Sequence, residues 1–267
     1  MAIDEKLAKL NAILRELSPL AVAYSGGVDS TLLLRAAVEV LGPANVLGVI
    51  GDSPSIPRSE LEQAKTMADA FGAPYAVIYP QELRNPHYTA NPPNRCYHCK
   101  STLFTGVREL AAARGIPTLA DGNNADDVGD WRPGRKAAAE QGVRSPLMEA
   151  GLTKAEIREL SRRFGLPTAE KPAMACLASR LPYGTEITAE ILERVEQAEQ
   201  YLHGLGFGQL RVRHHGDVAR LELLPEELPR LLAEPLRTTV AAKLKELGYR
   251  HVAADLAGYR TGSMNPE

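Results

Sequence analysis

Cysteine is scarce in this chain of 267 residues, with three in all, and there is a single tryptophan. So few thiols do not make a disulfide framework, and an odd count in a chain of this kind points to metal binding or catalysis before cross-linking. Long apolar runs are missing as well. None approaches the roughly 20 residues of a membrane helix, and Met1-Ala2-Ile3-Asp4-Glu5-Lys6 lacks the basic-then-apolar order of a signal peptide. The expectation is a cytoplasmic protein with no membrane partner. A large excess of either charge is also absent, the formal net being −2, which argues against a broad nucleic-acid surface and so against a nucleic-acid partner. What remains is ordinary for a globular protein, with 44% hydrophobic and 24% charged residues. Such a chain can bury a core unaided, as one large α/β unit or as a domain with an appendage.

Apolar residues at helical spacing, Leu7, Leu10, Ile13, Leu14 and Leu17, predict an opening amphipathic helix that Ser18-Pro19 closes. A short apolar run from Leu20 to Tyr24 reads as a strand, and Thr31 to Leu41 as a buried helix. The rhythm repeats with a strand at Val46 to Ile50, a helix at Arg58 to Phe71 and a strand at Tyr75 to Tyr79. A Pro- and Asn-rich stretch, Arg84 to Arg95, is followed by a helix from Ser101 to Arg114 and a strand at Thr118 to Ala120. Alternating strands and helices imply a parallel sheet covered on both faces. After a helix at Lys154 to Phe164, the stretch Gly165 to Pro182 carries the domain boundary. The expected division is residues 1–182 and residues 183–267. In the second part, helices at Ala189 to Leu205, Glu226 to Ala233 and Thr238 to Leu247 accompany strands at Leu210 to His214, Val218 to Leu223 and His251 to Ala254. The fold class is α/β, a parallel-sheet domain with a smaller C-terminal α+β domain.

Between the first strand and the next helix lies Ser25-Gly26-Gly27-Val28-Asp29-Ser30. Helix N-terminal amides and the helix dipole favour an anion there. The two glycines permit close backbone approach and unusual dihedrals, and Ser25 and Ser30 add hydroxyl donors for phosphate oxygens. The lysine-bearing Walker A pattern is absent, and no G-x-G-x-x-G follows the first strand. The motif resembles the PP-loop of the adenylating ATP pyrophosphatases, among them NAD synthetase, asparagine synthetase and tRNA thiolation enzymes. That likeness implies ATP cleavage between the α- and β-phosphates to give an acyl or iminoyl adenylate. Mg²⁺ belongs to such chemistry, because the leaving pyrophosphate develops charge. Asp29 and Asp127 are candidate indirect supports for the ion.

Cys96 and Cys99 sit in Arg95-Cys96-Tyr97-His98-Cys99-Lys100, and Cys176 in Lys171-Pro172-Ala173-Met174-Ala175-Cys176-Leu177-Ala178-Ser179-Arg180; both motifs read as loop-associated. A lone C-x-x-C serves redox pairs, zinc sites and iron-sulfur sites alike. Three thiolates without a fourth ligand suit a [4Fe-4S] cluster with one open iron.

Taken together, Ser25 to Ser30, Cys96 to Lys100, Asp121-Gly122-Asn123-Asn124-Ala125-Asp126-Asp127, Arg144-Ser145-Pro146-Leu147, Lys171 to Arg180, Arg211-Val212-Arg213-His214-His215-Gly216-Asp217 and Gly258-Tyr259-Arg260-Thr261-Gly262-Ser263-Met264-Asn265 resemble the LarE sulfur transferases over nearly the whole chain. The resemblance implies a PP-loop (adenine nucleotide α-hydrolase-like) first domain and a second domain for substrate binding and oligomerisation. It implies work on the nickel-pincer nucleotide of lactate racemase and related enzymes. The carboxylates of pyridinium-3,5-biscarboxylic acid mononucleotide would be adenylated and replaced by thiocarboxylates. One branch of the family sacrifices the sulfur of a single cysteine at the position of Cys176; another holds a [4Fe-4S] cluster on three. The presence of Cys96 and Cys99 places the expectation with the cluster branch, with Cys96, Cys99, Cys176 and Lys100 catalytic. Lys100 would neutralise the adenylate. Ser179, Arg180, Arg211 and Arg213 resemble the family's anion-binding group for the mononucleotide phosphate, with both strand arginines on one face. His214 and His215 read as paired surface histidines, and Trp131 as the anchor of a loop near the site. The resemblance also implies a homo-oligomer, a hexamer, with the sulfide source unknown. The rivals are sacrificial transfer of the Cys176 sulfur, a tRNA thiolase, which the near-neutral charge disfavours, and a nucleotide-responsive scaffold without catalysis.

Overall fold

A computed structural model describes residues 2–129 and 133–260; Trp131 lies outside them. The chain divides into two compact units. The first runs to Tyr88 and resumes over Asn94–Met174, while the second comprises Thr89–Pro93 and the chain from Ala175 onward. The second unit thus begins at Ala175 rather than at 183, and it draws in a short piece from the Pro-rich stretch.

In the first unit, α1 (Ile3–Glu16) leads into β1 (Leu20–Ala23), α2 (Val28–Leu41), β2 (Val46–Gly51), α3 (Arg58–Ala70) and β3 (Tyr75–Ile78). There follow α4 (Pro86–Thr89), whose last residue belongs to the second unit, then α5 (Arg95–Ala113), β4 (Thr118–Ala120), α6 (Pro133–Glu140), α7 (Pro146–Glu149) and α8 (Lys154–Arg163). The four strands form one parallel sheet in the order β3-β2-β1-β4. Strands buried on both faces must be apolar throughout, and β2 is buried along its whole length. Successive side chains of β1 feed opposite cores, as the pleat requires. Leu20 and Val22 join Leu10, Leu14, Leu32, Leu33 and Leu160 on one side. Ala21 joins Phe104, Val107 and Ala111 of α5 on the other. The crossover from β1 leads to β2 on one flank, and β4 lies on the other. β1 is therefore a topological switch point, whose carboxyl end opens a crevice suited to a ligand.

Two expectations change in this unit. The helix expected from Ser101 begins at Arg95, so Cys96, Cys99 and Lys100 lie on its first turns rather than in a loop. The helix expected from Thr31 begins at Val28, so half of the glycine loop motif is helix. α6 has no counterpart in the sequence reading.

The second unit holds α9 (Ala189–Gly204), β5 (Arg211–His215), β6 (Val218–Glu222), α10 (Leu228–Leu232), α11 (Leu236–Glu246) and β7 (His251–Ala254). Its sheet has the order β5-β6-β7, antiparallel between the first two strands and parallel between the last two. Ala198 and Leu202 of α9 with Val240 and Leu244 of α11 pack on Val212, Ala219 and Leu221 of the sheet. Among the described residues, no helix is long and apolar enough to cross a membrane.

Candidate functional site

The glycine loop leaves the carboxyl end of β1 and is braced by its own hydroxyls. Ser25 N–H donates to Ser30 Oγ at 3.3 Å, the two serine hydroxyls lie 3.1 Å apart, and Gly27 N–H donates to Ser25 Oγ at 3.4 Å. Gly26 adopts a φ of +72°, and a Cβ there would lie 2.7 Å from Cβ of Ala64 on α3. Glycine is needed twice over, for the left-handed backbone and for the contact. No side chain caps α2 at Gly27, which leaves the amides of the first turn to meet an external anion.

The chain after β4 packs against this loop. A Cβ on Gly122 would meet Ser30 N at 2.9 Å, Ser30 Cα at 3.1 Å and the Asp29 carbonyl carbon at 3.3 Å. Asp121 fixes that approach: it accepts from Ser145 Oγ at 2.7 Å, Asn123 N at 3.1 Å and Asn123 Nδ2 at 2.6 Å. Burial holds the Asp121 carboxyl above the usual carboxylate range, against the opposing pull of these donors and of the nearby Lys100 charge. The Asp121 and Arg144-Ser145 motifs thus belong to one hydrogen-bonded knot beside the loop.

Asp29 carries a donor on each oxygen, Lys154 Nζ at 2.5 Å and Asn124 Nδ2 at 3.3 Å. It is a paired carboxylate rather than a helix cap. Asp127 is buried and accepts from Asn124 N at 2.9 Å, so it closes the turn after β4 instead of facing solvent. A third cation stands close by. Lys171 Nζ lies 2.6 Å from Glu60 Oε2 and donates to the Gly26 carbonyl at 3.3 Å, on the wall of a cavity of about 580 Å³ shared with Gly26, Gln63, Thr66 and Thr168. Nothing in the sequence marks Lys154, and the one sign for Lys171 is that it opens the Cys176 motif.

Cys96 is exposed and Cys99 half-buried, one helical turn apart on α5, so both face the same side of that helix. Gly134 of α6 runs against this turn, its Cβ position 3.0 Å from Lys100 Cγ and 3.7 Å from the Cys96 carbonyl oxygen. Lys100 is exposed, with Nζ 5.5 Å from the Phe104 ring. Cys176 is half-buried in the second unit, at the start of a 3₁₀ turn over Leu177–Arg180. Among the described residues, no three His, Cys, Asp or Glu side chains form a group that could hold a metal ion.

The second unit assembles Ser179, Arg180, Arg211 and Arg213, and it separates their roles. Arg180 is wholly buried and pairs with Glu199 through Nε at 3.0 Å and Nη2 at 2.9 Å. Its Nη1 meets the carbonyls of Ala175 at 2.7 Å and Cys176 at 3.0 Å and Ser179 Oγ at 3.0 Å. All three of its nitrogens are engaged, so it clamps the Cys176 segment to α9. Arg213 donates to Ser179 O at 2.9 Å and to Glu222 Oε2 at 2.7 Å. Glu222 Oε1 also accepts from Arg220 at 3.1 Å, and Arg220 pairs with Asp255 at 3.3 Å.

Arg211 is different. It is 6% exposed, it donates to the backbone carbonyl of Leu210 at 2.6 Å, and its guanidinium stands 5.2 Å from the Tyr259 ring. No carboxylate among the described residues forms an ion pair with it. Burial, with the charge of Arg180 adding to it, holds its pKa below the ordinary guanidinium value. A buried charge without an acid is costly, and an anion relieves that cost. The arginine pair is therefore not a solvated strand face. Of the two histidines, only His215 is at the surface; His214 is 4% exposed and lies 3.4 Å from the Tyr249 hydroxyl.

Known proteins match this chain over different stretches. A family model described as NAD synthase matches residues 8–86, the stretch that holds the glycine loop. An uncharacterised protein of Synechocystis, slr1717, is 44% identical over 98% of this chain and 98% of its own length. The pyridinium-3,5-bisthiocarboxylic acid mononucleotide synthase of Lactiplantibacillus plantarum is 38% identical over 97% of this chain and 94% of its own length. A tRNA-specific 2-thiouridylase of Moorella thermoacetica is 26% identical over 66% of this chain and 60% of its own length.

Proposed function

The chain belongs to the LarE family, that of the pyridinium-3,5-bisthiocarboxylic acid mononucleotide synthase, and on that premise we propose that it converts carboxylates of a pyridinium mononucleotide to thiocarboxylates at the expense of ATP. Two observations carry the reading: an uncapped PP-loop in one unit, and in the other a buried Arg211 with which no carboxylate among the described residues forms an ion pair. The first suits a pyrophosphate and the second the phosphate of a mononucleotide.

ATP lies with its β- and γ-phosphates on the amides of α2 and the hydroxyls of Ser25 and Ser30. A substrate carboxylate oxygen attacks the α-phosphorus, the bond to the bridging oxygen breaks, and pyrophosphate leaves. Oxide is a poor leaving group; AMP is a good one. A sulfur nucleophile then displaces AMP from the acyl carbon. Lys100 neutralises charge on the adenylate, and Lys154 and Lys171 hold positive charge at the loop. Oxygen donors suit Mg²⁺; Asp29 and Asp127, whose oxygens already accept hydrogen bonds, would support the ion indirectly.

The thiolates of Cys96, Cys99 and Cys176 would hold a [4Fe-4S] cluster. Iron-sulfur clusters take Cys thiolates, and Cys96 and Cys99 offer two of them from one face of α5, with Cys176 as the candidate third. When bound, the cluster supplies a transferable sulfide. Anaerobic purification with iron and sulfide analysis, followed by turnover with ATP, Mg²⁺ and the dicarboxylate mononucleotide, tests this. The expected protein is coloured, contains iron and turns over repeatedly. A colourless protein that converts Cys176 to dehydroalanine in a single turnover would establish sacrifice instead.

A further inference from the structure

The segment from Asp255 to Tyr259 has no part in the chemistry above, yet backbone bonds hold it to the end of β6. Asp255 N–H donates to Leu221 O at 2.8 Å, Gly258 N–H to Asp255 O at 3.0 Å and Tyr259 N–H to Leu223 O at 2.7 Å. Gly258 takes a φ of +67°, and a Cβ there would meet Leu223 O at 2.7 Å and Pro225 Cγ at 3.1 Å. This left-handed, tightly packed step turns the chain so that the Tyr259 ring comes to 5.2 Å from the Arg211 guanidinium. Asp255 is tied in from the other side through Arg220 and Glu222.

We infer that Tyr259 is the positioning residue for Arg211, keeping a desolvated guanidinium oriented while leaving the N–H groups that Leu210 does not engage to bind the phosphomonoester of the substrate. A carboxylate in that place would neutralise the charge and occupy the donors, as Glu199 does for Arg180 and Glu222 for Arg213. An aromatic face attracts the cation through its quadrupole without accepting its N–H bonds. The ring thus helps compensate for burial without competing with the ligand. This inference rests on the reading of Arg211 as the mononucleotide-phosphate group.

The test is titration calorimetry on the whole protein, with the dicarboxylate mononucleotide and separately with ATP, for wild type, Tyr259→Ala, Tyr259→Phe and Arg211→Ala. Tyr259→Ala should weaken mononucleotide binding about three- to thirtyfold, the range of a desolvated cation–π contact. Tyr259→Phe should stay within about twofold, since the face is kept. ATP affinity and kcat at saturating mononucleotide should be unchanged in both, so the loss appears in KM. If Tyr259→Phe is as weak as Tyr259→Ala, or if Tyr259→Ala binds like wild type while Arg211→Ala does not, Tyr259 does not act through its face and the inference falls. If Arg211→Ala itself binds the mononucleotide normally, the underlying anion assignment falls with it.

Discussion

Replacing Gly122 with alanine puts one methyl group where the chain after β4 touches the glycine loop. The new Cβ would lie 2.9 Å from Ser30 N and 3.1 Å from Ser30 Cα. Both are backbone atoms in the first turn of a buried helix, so no side chain can swing aside. Either α2 shifts or the β4 loop lifts away, breaking the Asp121, Asn123 and Ser145 bonds. Overpacking of this kind costs about 1–3 kcal/mol, which corresponds to about a 5- to 150-fold loss if it falls wholly on ligand binding. Gly142→Ala is the control: its φ is +62° but nothing lies within 4 Å of the added Cβ, so it pays a backbone cost of about 1 kcal/mol with no contact to the loop. ATP titration of both variants, alongside their thermal midpoints, separates the two effects. Gly122→Ala should lose ATP affinity at least fivefold, while Gly142→Ala should lose stability alone. Equal ATP affinities for Gly122→Ala and wild type would refute the claim that this contact sets the loop.

Three further outcomes follow from the same structure. Glu199→Ala leaves the Arg180 guanidinium buried without its acid, and should destabilise the second unit by about 3–5 kcal/mol, read by denaturant unfolding; a loss below 1 kcal/mol contradicts the clamp. Lys154→Met removes the cation from Asp29 and leaves its charge uncompensated beside the bound phosphates, so ATP binding should weaken about tenfold with mononucleotide affinity intact; equal loss of both would place Lys154 elsewhere. The His214 pKa is held below its ordinary 6.5 first by burial and then by Arg194. The unfolded chain therefore takes up a proton that the folded chain refuses, and stability falls as pH drops below about 6.5 toward the folded value; His214→Asn should flatten that slope, and an unchanged slope would assign it to other groups.

The parallel sheet could be read from sequence because strands buried on both faces are short continuous apolar runs, and the helices between them keep a clear period. The start of α5 could not. Its first turn, Arg95 to His98, carries no apolar stripe, and Asn94 makes no capping bond to announce it. The glycine loop was legible because its parts are contiguous. Gly122, Lys154 and Lys171 reach it from three distant segments, and only the sheet order brings them there. Arg180 and Arg211 look equivalent in a sequence, two arginines near hydrophobic residues. Their difference lies in Glu199 on α9, which forms an ion pair with Arg180 and none with Arg211.

Carboxylate activation by adenylation is the central step proposed for this chain, and an oxygen label follows it directly. Mononucleotide carrying heavy oxygen in its carboxylates, turned over with ATP and Mg²⁺, should pass one labelled oxygen to AMP for each thiocarboxylate formed, with none in pyrophosphate. Label in inorganic phosphate with release of ADP, or unlabelled AMP, would contradict attack on the α-phosphorus and with it the role given to the loop at Ser25 to Ser30.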